Sequence, residues 1–144
     1  MRSSNLKIDF CEEQAIINTA AKEFCLDNSN TTTSRQLINC KLGFNQDIWE
    51  QITELGWTGI NIPEQYGGID LGIKCAVPIV EQMGKTMMSL PYISLLLATE
   101  VIVRLGNRQQ QKKWLPLFCQ GKIGTVAFLD NEDWGSTDAS LELT

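Results

Sequence analysis

Histidine is missing from all 144 positions of this chain. This absence excludes the serine–histidine–aspartate and cysteine–histidine arrangements of nucleophilic catalysis, and it excludes metal centres held by imidazole. Proton transfer by these residues would have to use carboxylates, lysine or tyrosine. The glycine signatures of dinucleotide-binding and P-loop folds, G-x-G-x-x-G and G-x-x-x-x-G-K-[ST], are absent as well, so neither fold is supported.

Paired cysteines and long apolar runs are also missing. The five cysteines are widely spaced and none forms a C-x-x-C pair, so neither a zinc site nor a redox dithiol is indicated. The longest apolar stretch, residues 93–103, is too short to cross a bilayer and contains Ser94, Thr99 and Glu100. The N-terminus lacks the apolar run of a signal peptide. We therefore predict a soluble, cytoplasmic chain without a membrane span and without a bound metal.

Basic residues form no long run in this acidic chain. The net charge is −5 and the isoelectric point is about 4.7, and the only adjacent basic pair is Lys112 and Lys113. This balance argues against nucleic acid as a partner. With 43% hydrophobic residues, a chain of this length can bury the core of about one domain.

The first predicted helix begins after Asp9, which can cap it, with Glu12 three residues later as in a capping box. The helix is expected to end near Asp27, ahead of a polar loop, and a short helix is expected over residues 35–41. The apolar face of the first helix consists of residues at helical spacing: Phe10, Ile17, Ala20, Ala21 and Phe24.

Two further helices are bounded by glycine and proline. A helix over Gln46–Leu55 is expected to end at Gly56, which suits the left-handed position beyond a helix end. The next helix should start near Cys75 or Ala76, because Pro78 is tolerated only in a first turn. The apolar face of the earlier of the two consists of Ile48, Trp49, Ile52 and Leu55.

Proline opens a fourth helix at Pro91, and Gly106 closes it. Asn107 can cap a last helix over residues 108–118, in which Pro116 is expected to end the regular hydrogen bonding early. The predicted buried residues of these two helices are Ile93, Leu96, Leu97, Val101 and Leu105, followed by Trp114, Leu115 and Phe118.

Residues 123–129 are β-branched and aromatic without a helical period, so they predict a strand, and residues 141–144 alternate as a second strand does. The expected fold class is therefore all-α, an orthogonal bundle of about five or six helices, with a C-terminal strand or hairpin that opens a β domain. The expected core of the bundle contains Trp49, Leu55, Ile79, Leu96, Val101 and Trp114.

Residues 55–72, which read LGWTGINIPEQYGGIDLG, carry the most specific pattern in the chain. Gly56 and Trp57 follow a helix, Pro63 blocks further helix and is followed by Glu64, and a double glycine turns the chain. In this order and spacing the stretch resembles the joint between two helices in the N-terminal domain of acyl-CoA dehydrogenases, a flavin-dependent family. Residues 112–140 are similar to that family's passage into its middle domain.

The resemblance covers residues 10–144 and implies a helical domain over residues 1–121, followed by the truncated start of a middle β domain over 122–144. In this family FAD accepts a hydride from the β-carbon of an acyl-CoA thioester while a glutamate removes the α-proton. That glutamate lies in a C-terminal domain outside this chain, so no catalytic residue is assigned here. The glutamates of this chain are interpreted as surface carboxylates: Glu64, Glu81, Glu100 and Glu132.

Family members usually read Ala-Leu-Thr-Glu-Pro at the flavin, then a glycine-rich stretch ending Gly-Ser-Asp, and this chain departs from both. Alignment from the strand side places Phe128, Leu129 and Asp130 on Leu-Thr-Glu, so the resemblance implies that these residues bind the cofactor. Leu129 then lacks the hydroxyl that contacts the flavin. Alignment from the loop side instead places residues 131–132 on Thr-Glu. The implied acyl-CoA contacts are Ser136 and Thr137.

Three interpretations remain open from the sequence. The chain is the N-terminal part of an FAD-dependent acyl-CoA dehydrogenase and is inactive alone. Alternatively, it is a non-catalytic helical assembly or binding subunit that partners a catalytic dehydrogenase subunit, or a helical interaction domain without a flavin. The first interpretation implies acyl-CoA as substrate, an electron-transfer flavoprotein as acceptor, and homo- or hetero-oligomers assembled through the C-terminal domain.

Overall fold

The computed structural model describes residues 11–29 and 41–127. Within these residues the chain forms α-helices and short 3-10 turns and no strand, which confirms the all-α fold class. The 3-10 turns are Trp57–Gly59, Glu64–Tyr66 and Ile73–Ala76. The helices are α1 (Glu12–Asn28), α2 (Gln46–Glu54), α3 (Val77–Lys85), α4 (Tyr92–Leu105) and α5 (Arg108–Cys119).

Most helix ends follow the local signals in the sequence. Gly56 adopts a left-handed conformation (φ 76°) directly after α2, where a residue with a Cβ would be strained. Pro78 lies in the first turn of α3, after the Ile73–Ala76 turn has brought the chain into helical geometry. Asn107 caps α5 reciprocally with Gln110: its side chain accepts from the Gln110 N–H at 2.9 Å, and the Gln110 side chain accepts from the Asn107 N–H at 2.9 Å.

Two predicted boundaries are wrong. The helix α1 begins at Glu12, and its N-cap is Cys11 rather than Asp9, because the Cys11 N–H donates to the Gln14 side chain at 3.1 Å. Pro116 does not end α5, which continues to Cys119: proline removes one N–H, and the Pro116 carbonyl still accepts from the Gln120 N–H at 3.2 Å. Asp9 lies outside the described residues. So does the short helix predicted over residues 35–41, of which only the last residue is described.

The core lies where α1 packs on α3 and α4 packs on α5. The burial of Trp49, Ile79 and Leu96 confirms three core predictions, while Val101 and Trp114 are half-buried. The largest fully buried side chains also include Ile52, Ile60, Ile62, Tyr92, Leu95 and Leu115. The core prediction for Leu55 is wrong: this residue is the C-cap of α2, beyond the last helical residue Glu54, and it is 50% exposed.

The inward face of α4 differs from the predicted one. Ile93, Leu97 and Leu105 are exposed, whereas the buried residues are Tyr92, Leu95, Leu96, Ala98 and Thr99. Apolar residues surround most of this helix, so spacing alone does not select a face. The Tyr92 hydroxyl does so by donating to the Trp57 carbonyl at 3.0 Å. Burial raises the pKa of Tyr92, so the hydroxyl stays a donor across the physiological range.

A backbone joint connects the first two helices to the rest of the bundle. The N–H groups of Ile69, Asp70 and Leu71 donate to the carbonyls of Gly59, Ile62 and Ile60 at 3.0, 3.0 and 2.9 Å. Gly68 sits against this joint, and a Cβ added there would lie 2.0 Å from the Ile62 carbonyl oxygen. The residues between Gly59 and Leu71 are therefore held by main-chain contacts, and we refer to them as the joint.

Leu95→Ala should lower the free energy of unfolding by about 2–5 kcal/mol, because the truncation leaves a cavity in a fully buried position. Leu97→Ala, two residues along the same helix and 49% exposed, is the matched control and should cost less than about 1 kcal/mol. Urea unfolding of both variants measures the difference. Equal costs for the two variants would contradict the inward face described for α4.

Gly68→Ala should destabilise the fold by more than about 2 kcal/mol, since the joint has no room for a methyl group. Gly84→Ala provides the opposite case. Gly84 lies in α3 with no atom within 4 Å of an added Cβ, so alanine should stabilise by about 0.5–1 kcal/mol. Thermal melts of both variants test the pair, and a neutral Gly68→Ala would show that the joint can open.

Candidate functional site

The described chain ends at Ala127, one residue before the predicted cofactor contacts. Phe128, Leu129 and Asp130, and the predicted acyl-CoA contacts Ser136 and Thr137, lie outside the described residues, so their roles stay predictions. The structure describes the segment that leads to them, residues 122–127, which we call the exit segment. This segment is non-helical and leaves the bundle after α5.

Three hydrogen bonds and a tightly packed glycine fix the point where the exit segment begins. The Trp49 indole N–H donates to the Gly121 carbonyl at 2.7 Å, and the Lys122 N–H donates to the Leu117 carbonyl at 3.0 Å. The Thr58 hydroxyl donates to the Cys119 carbonyl at 3.1 Å, which ties the end of α5 to the joint's N-terminal side. Gly121 itself is left-handed (φ 83°), and an added Cβ would lie 2.7 Å from the hydroxyl oxygen of Thr53.

The exit segment forms one wall of an apolar groove of about 480 Å³. Gly124 is packed closely against the far side: an added Cβ would lie 3.0 Å from the Ala98 Cβ and 3.0 Å from the Phe118 ring. Among the described residues that line this groove, Lys122 alone is charged. The remaining lining side chains come from α4 and α5: Ala98, Val101, Ile102, Trp114 and Phe118.

The backbone of the exit segment is available for pairing. Among the described residues, no backbone–backbone hydrogen bond involves residues 123–127. Peptide groups in this state bond to solvent, to a neighbouring strand or to a ligand edge. The predicted strand over residues 123–129 has no ladder partner in the described part of the chain and stays a prediction.

No carboxylate lines this groove in the described residues. Glu81 pairs with Lys85 at 2.7 Å on the surface of α3. Glu100 accepts from the Asn61 amide at 3.1 Å and pairs with Arg104. Glu64 is exposed in its 3-10 turn. Glu64 is therefore a surface carboxylate as predicted, whereas Glu81 and Glu100 are half-buried, and Glu132 lies outside the described residues.

A polar cluster was not found by the sequence analysis. Asn61 is buried and contributes, with Glu100 and Arg104, to a hollow of about 370 Å³ next to the joint. The side-chain amide oxygen of Asn61 (Oδ1) has no hydrogen-bond partner among the described residues. In the sequence, Asn61 lies between the apolar residues Ile60 and Ile62, and no local pattern indicates its Glu100 partner 39 residues away.

Three of the four thiols in the described chain, all but the exposed Cys11, are shielded by burial. Burial raises the pKa of the Cys25, Cys75 and Cys119 thiols, so each is protonated at neutral pH. In residues 11–29 and 41–127 there is no cluster of three or more histidine, cysteine, aspartate or glutamate side chains placed to hold a metal. No helix in that same part is long and apolar enough to span a membrane.

Comparisons with known proteins bear on the class of this fold. The FAD-complexed acyl-CoA dehydrogenase from Bacillus anthracis matches 78% of this chain with 20% of its own, at 26% identity and a TM-score of 0.64. A steroid acyl-CoA dehydrogenase variant, Tcur3481-Tcur3483, matches 76% of this chain with 30% of its own, at 23% identity and a TM-score of 0.71. The described helices thus have the fold of helical domains from this class of dehydrogenase.

Sequence comparison identifies the family. Residues 11–122 match the family model described as acyl-CoA dehydrogenase, N-terminal domain. The chain is 31% identical over 101 residues to acyl-CoA dehydrogenase FadE12 of Mycobacterium tuberculosis, covering 68% of this chain and 26% of that protein. It is 34% identical over 102 residues to the mitochondrial isovaleryl-CoA dehydrogenase of Bos taurus, covering 68% and 24%.

This chain belongs to the acyl-CoA dehydrogenase family, and it contains that family's N-terminal domain. It spans about a quarter of the length of these two relatives. The matched region ends at residue 122, where the exit segment begins.

Trp49→Phe should loosen the exit segment while α1 stays intact, because phenylalanine keeps the ring and loses the donor to Gly121. Amide hydrogen exchange should become faster than in the wild type at Gln120, Gly121 and Lys122, whose N–H groups are hydrogen-bonded next to this contact. Trp114→Phe is the matched control: Trp114 lines the groove, and its indole N–H makes no hydrogen bond within the described chain. Similar exchange in both variants would mean that the hydrogen bond from Trp49 to Gly121, which we call the tether, does not hold the exit segment.

Proposed function

We propose that this chain forms the N-terminal part of an FAD-dependent acyl-CoA dehydrogenase that catalyses α,β-dehydrogenation of acyl-CoA thioesters. The observation that carries the proposal is the family match over residues 11–122. The relatives at 31% and 34% identity, named acyl-CoA dehydrogenase and isovaleryl-CoA dehydrogenase, support the same reaction class. No described carboxylate faces the groove, so the isolated chain is expected to be inactive.

The cofactor in this proposal is FAD, and the described residues are compatible with it. Among the described residues, the peptide groups of residues 123–127 make no backbone–backbone hydrogen bond and border an apolar groove, and Phe128, Leu129 and Asp130 follow directly. Backbone groups at such a position can hydrogen-bond the edge of a flavin ring and tune its electron affinity. When bound, FAD would supply the hydride acceptor, and Ser136 and Thr137 would contact the acyl-CoA.

The bundle's own contribution is positioning. Trp49 and Thr58 hold the end of α5, and Gly124 lets the exit segment lie against Ala98 and Phe118. A ligand edge bonded to a rigidly placed backbone loses less entropy on binding than one held by a free loop. In this proposal the helical domain positions the exit segment, from which residues 128–137 continue, and it takes no part in proton transfer.

A second candidate function rests on the departure at the flavin motif. In the strand-side alignment Leu129 stands where the family places a hydroxyl, and the proline of the motif is absent in either alignment. These changes weaken side-chain contacts to a flavin while leaving backbone contacts possible. They favour a non-catalytic assembly or binding subunit that partners a catalytic dehydrogenase subunit. Under either function we expect a cytoplasmic homo- or hetero-oligomer, with an electron-transfer flavoprotein as acceptor for the catalytic form.

The isolated 144-residue chain should purify without FAD and should show no dehydrogenase activity towards acyl-CoA thioesters with an artificial electron acceptor. Most of the relatives' length is missing from it, and the hydroxyl at position 129 is absent. Flavin absorbance after incubation with FAD and gel filtration measures binding. A yellow protein with stoichiometric flavin would overturn this expectation.

A chimera separates the two candidate functions. Residues 1–144 would replace the matching N-terminal part of FadE12, and the purified chimera would be assayed for FAD content and acyl-CoA oxidation. The catalytic proposal predicts a flavin-bearing, active chimera, in which Leu129→Thr retains more FAD than the isosteric Leu129→Val. A folded chimera that stays colourless, with no gain from Leu129→Thr, would instead support the assembly subunit.

A further inference from the structure

Positive charge is concentrated in one stretch of this acidic chain. Five of its 12 basic residues, and none of its 17 acidic residues, lie between Val101 and Ala127. The chain as a whole carries a net charge of −5, so the remainder is strongly acidic. This stretch contains the helix α5, and its charge stands apart from that of the surface around it.

The three basic residues of α5 lie on its outer side. Arg108, Lys112 and Lys113 are all exposed, while Leu115 and Phe118 of the same helix are buried. Arg108 and Lys112 are four residues apart and so share one face of the helix, and Lys113 lies about 100° further round. We call Arg108, Lys112 and Lys113 the basic face.

Among the described residues, few carboxylates lie on the elements that pack against the basic face. The elements packed against α5 are α4 and the turns Trp57–Gly59 and Glu64–Tyr66, and their carboxylates are Glu100 and Glu64. Glu100 is already engaged by Arg104 and Asn61. Neither ion pair within the described residues includes a residue of the basic face.

The Lys113 side chain of the basic face is already positioned before any partner binds. The Lys113 ammonium lies 4.7 Å from the centre of the Trp114 ring, and Trp114 in turn stacks on Phe118 with ring centres 6.5 Å apart. A cation over an aromatic face is attracted by the ring quadrupole, which restricts its motion. The ordering entropy that a partner would otherwise have to overcome is correspondingly smaller.

We propose that the basic face is a docking surface for an acidic patch on a partner protein. A helix of 12 residues is about 18 Å long, which matches a compact acidic patch such as one face of a partner helix. A duplex nucleic acid or an anionic membrane would extend beyond α5 and bring its charge against the acidic remainder of this chain. The site does not involve the exit segment's backbone, so it stands independently of FAD binding.

The test compares charge removal on and off the basic face. The probe is a fluorescein-labelled helical peptide rich in glutamate, titrated with the 144-residue chain and followed by anisotropy at about 20 mM and about 300 mM salt. The first variant is Arg108→Gln, Lys112→Gln, Lys113→Gln. The matched control, Lys22→Gln, Lys41→Gln, Lys74→Gln, removes the same charge from three other exposed residues. Circular dichroism melts check that both variants fold.

The basic-face variant should weaken peptide binding at low salt by about tenfold or more, and the control by less than about threefold. High salt should abolish most of the wild-type binding, because surface charges are screened. Equal losses in the two variants, or no binding by the wild type, would overturn the proposal. Tighter binding to a DNA duplex or to phosphatidylserine vesicles than to the peptide would overturn it as well.

Discussion

The close approach of Gly68 to the Ile62 carbonyl is the constraint on which the rest of the bundle depends. Only a residue without a Cβ fits there, and the three main-chain hydrogen bonds of the joint form around it. With the joint closed, Ile60 and Ile62 are buried and the Trp57 carbonyl faces the Tyr92 hydroxyl. That bond fixes the rotation of α4, and α4 supplies the surface on which α5 packs. A main-chain contact thus determines which side chains enter the core.

Helix boundaries could be predicted because their signals are local. Gly56, Pro78 and Asn107 act through their own backbone geometry or through residues at most three positions away. The inward face of α4 could not be predicted in the same way. Its apolar residues surround most of the helix, and the choice among faces is made by Tyr92 and Trp57, which lie 35 residues apart. No periodicity in the sequence reports a partner at that distance.

The site shows the same division between local and distant information. The motif over residues 55–72 and the sequence of residues 112–140 pointed to the family, and the family match confirms it. The groove beside the exit segment was not predicted. It is formed by α4, α5 and the exit segment, and no local sequence pattern predicts that this segment packs against these two helices. The basic face was overlooked for a different reason. Lys112 and Lys113 were considered as an adjacent pair rather than with Arg108 at helical spacing.

The tether between Trp49 and Gly121 joins residues 72 positions apart, and this separation has a consequence for the order of folding. Closing so long a loop costs chain entropy that only the already packed helices can offset. During synthesis, Trp49 emerges well before Gly121, so its indole N–H has no partner until α5 is complete. The direction of the exit segment is therefore set last, after the bundle has formed. A nascent chain would present residues 122–127 to later-made segments only from a finished scaffold.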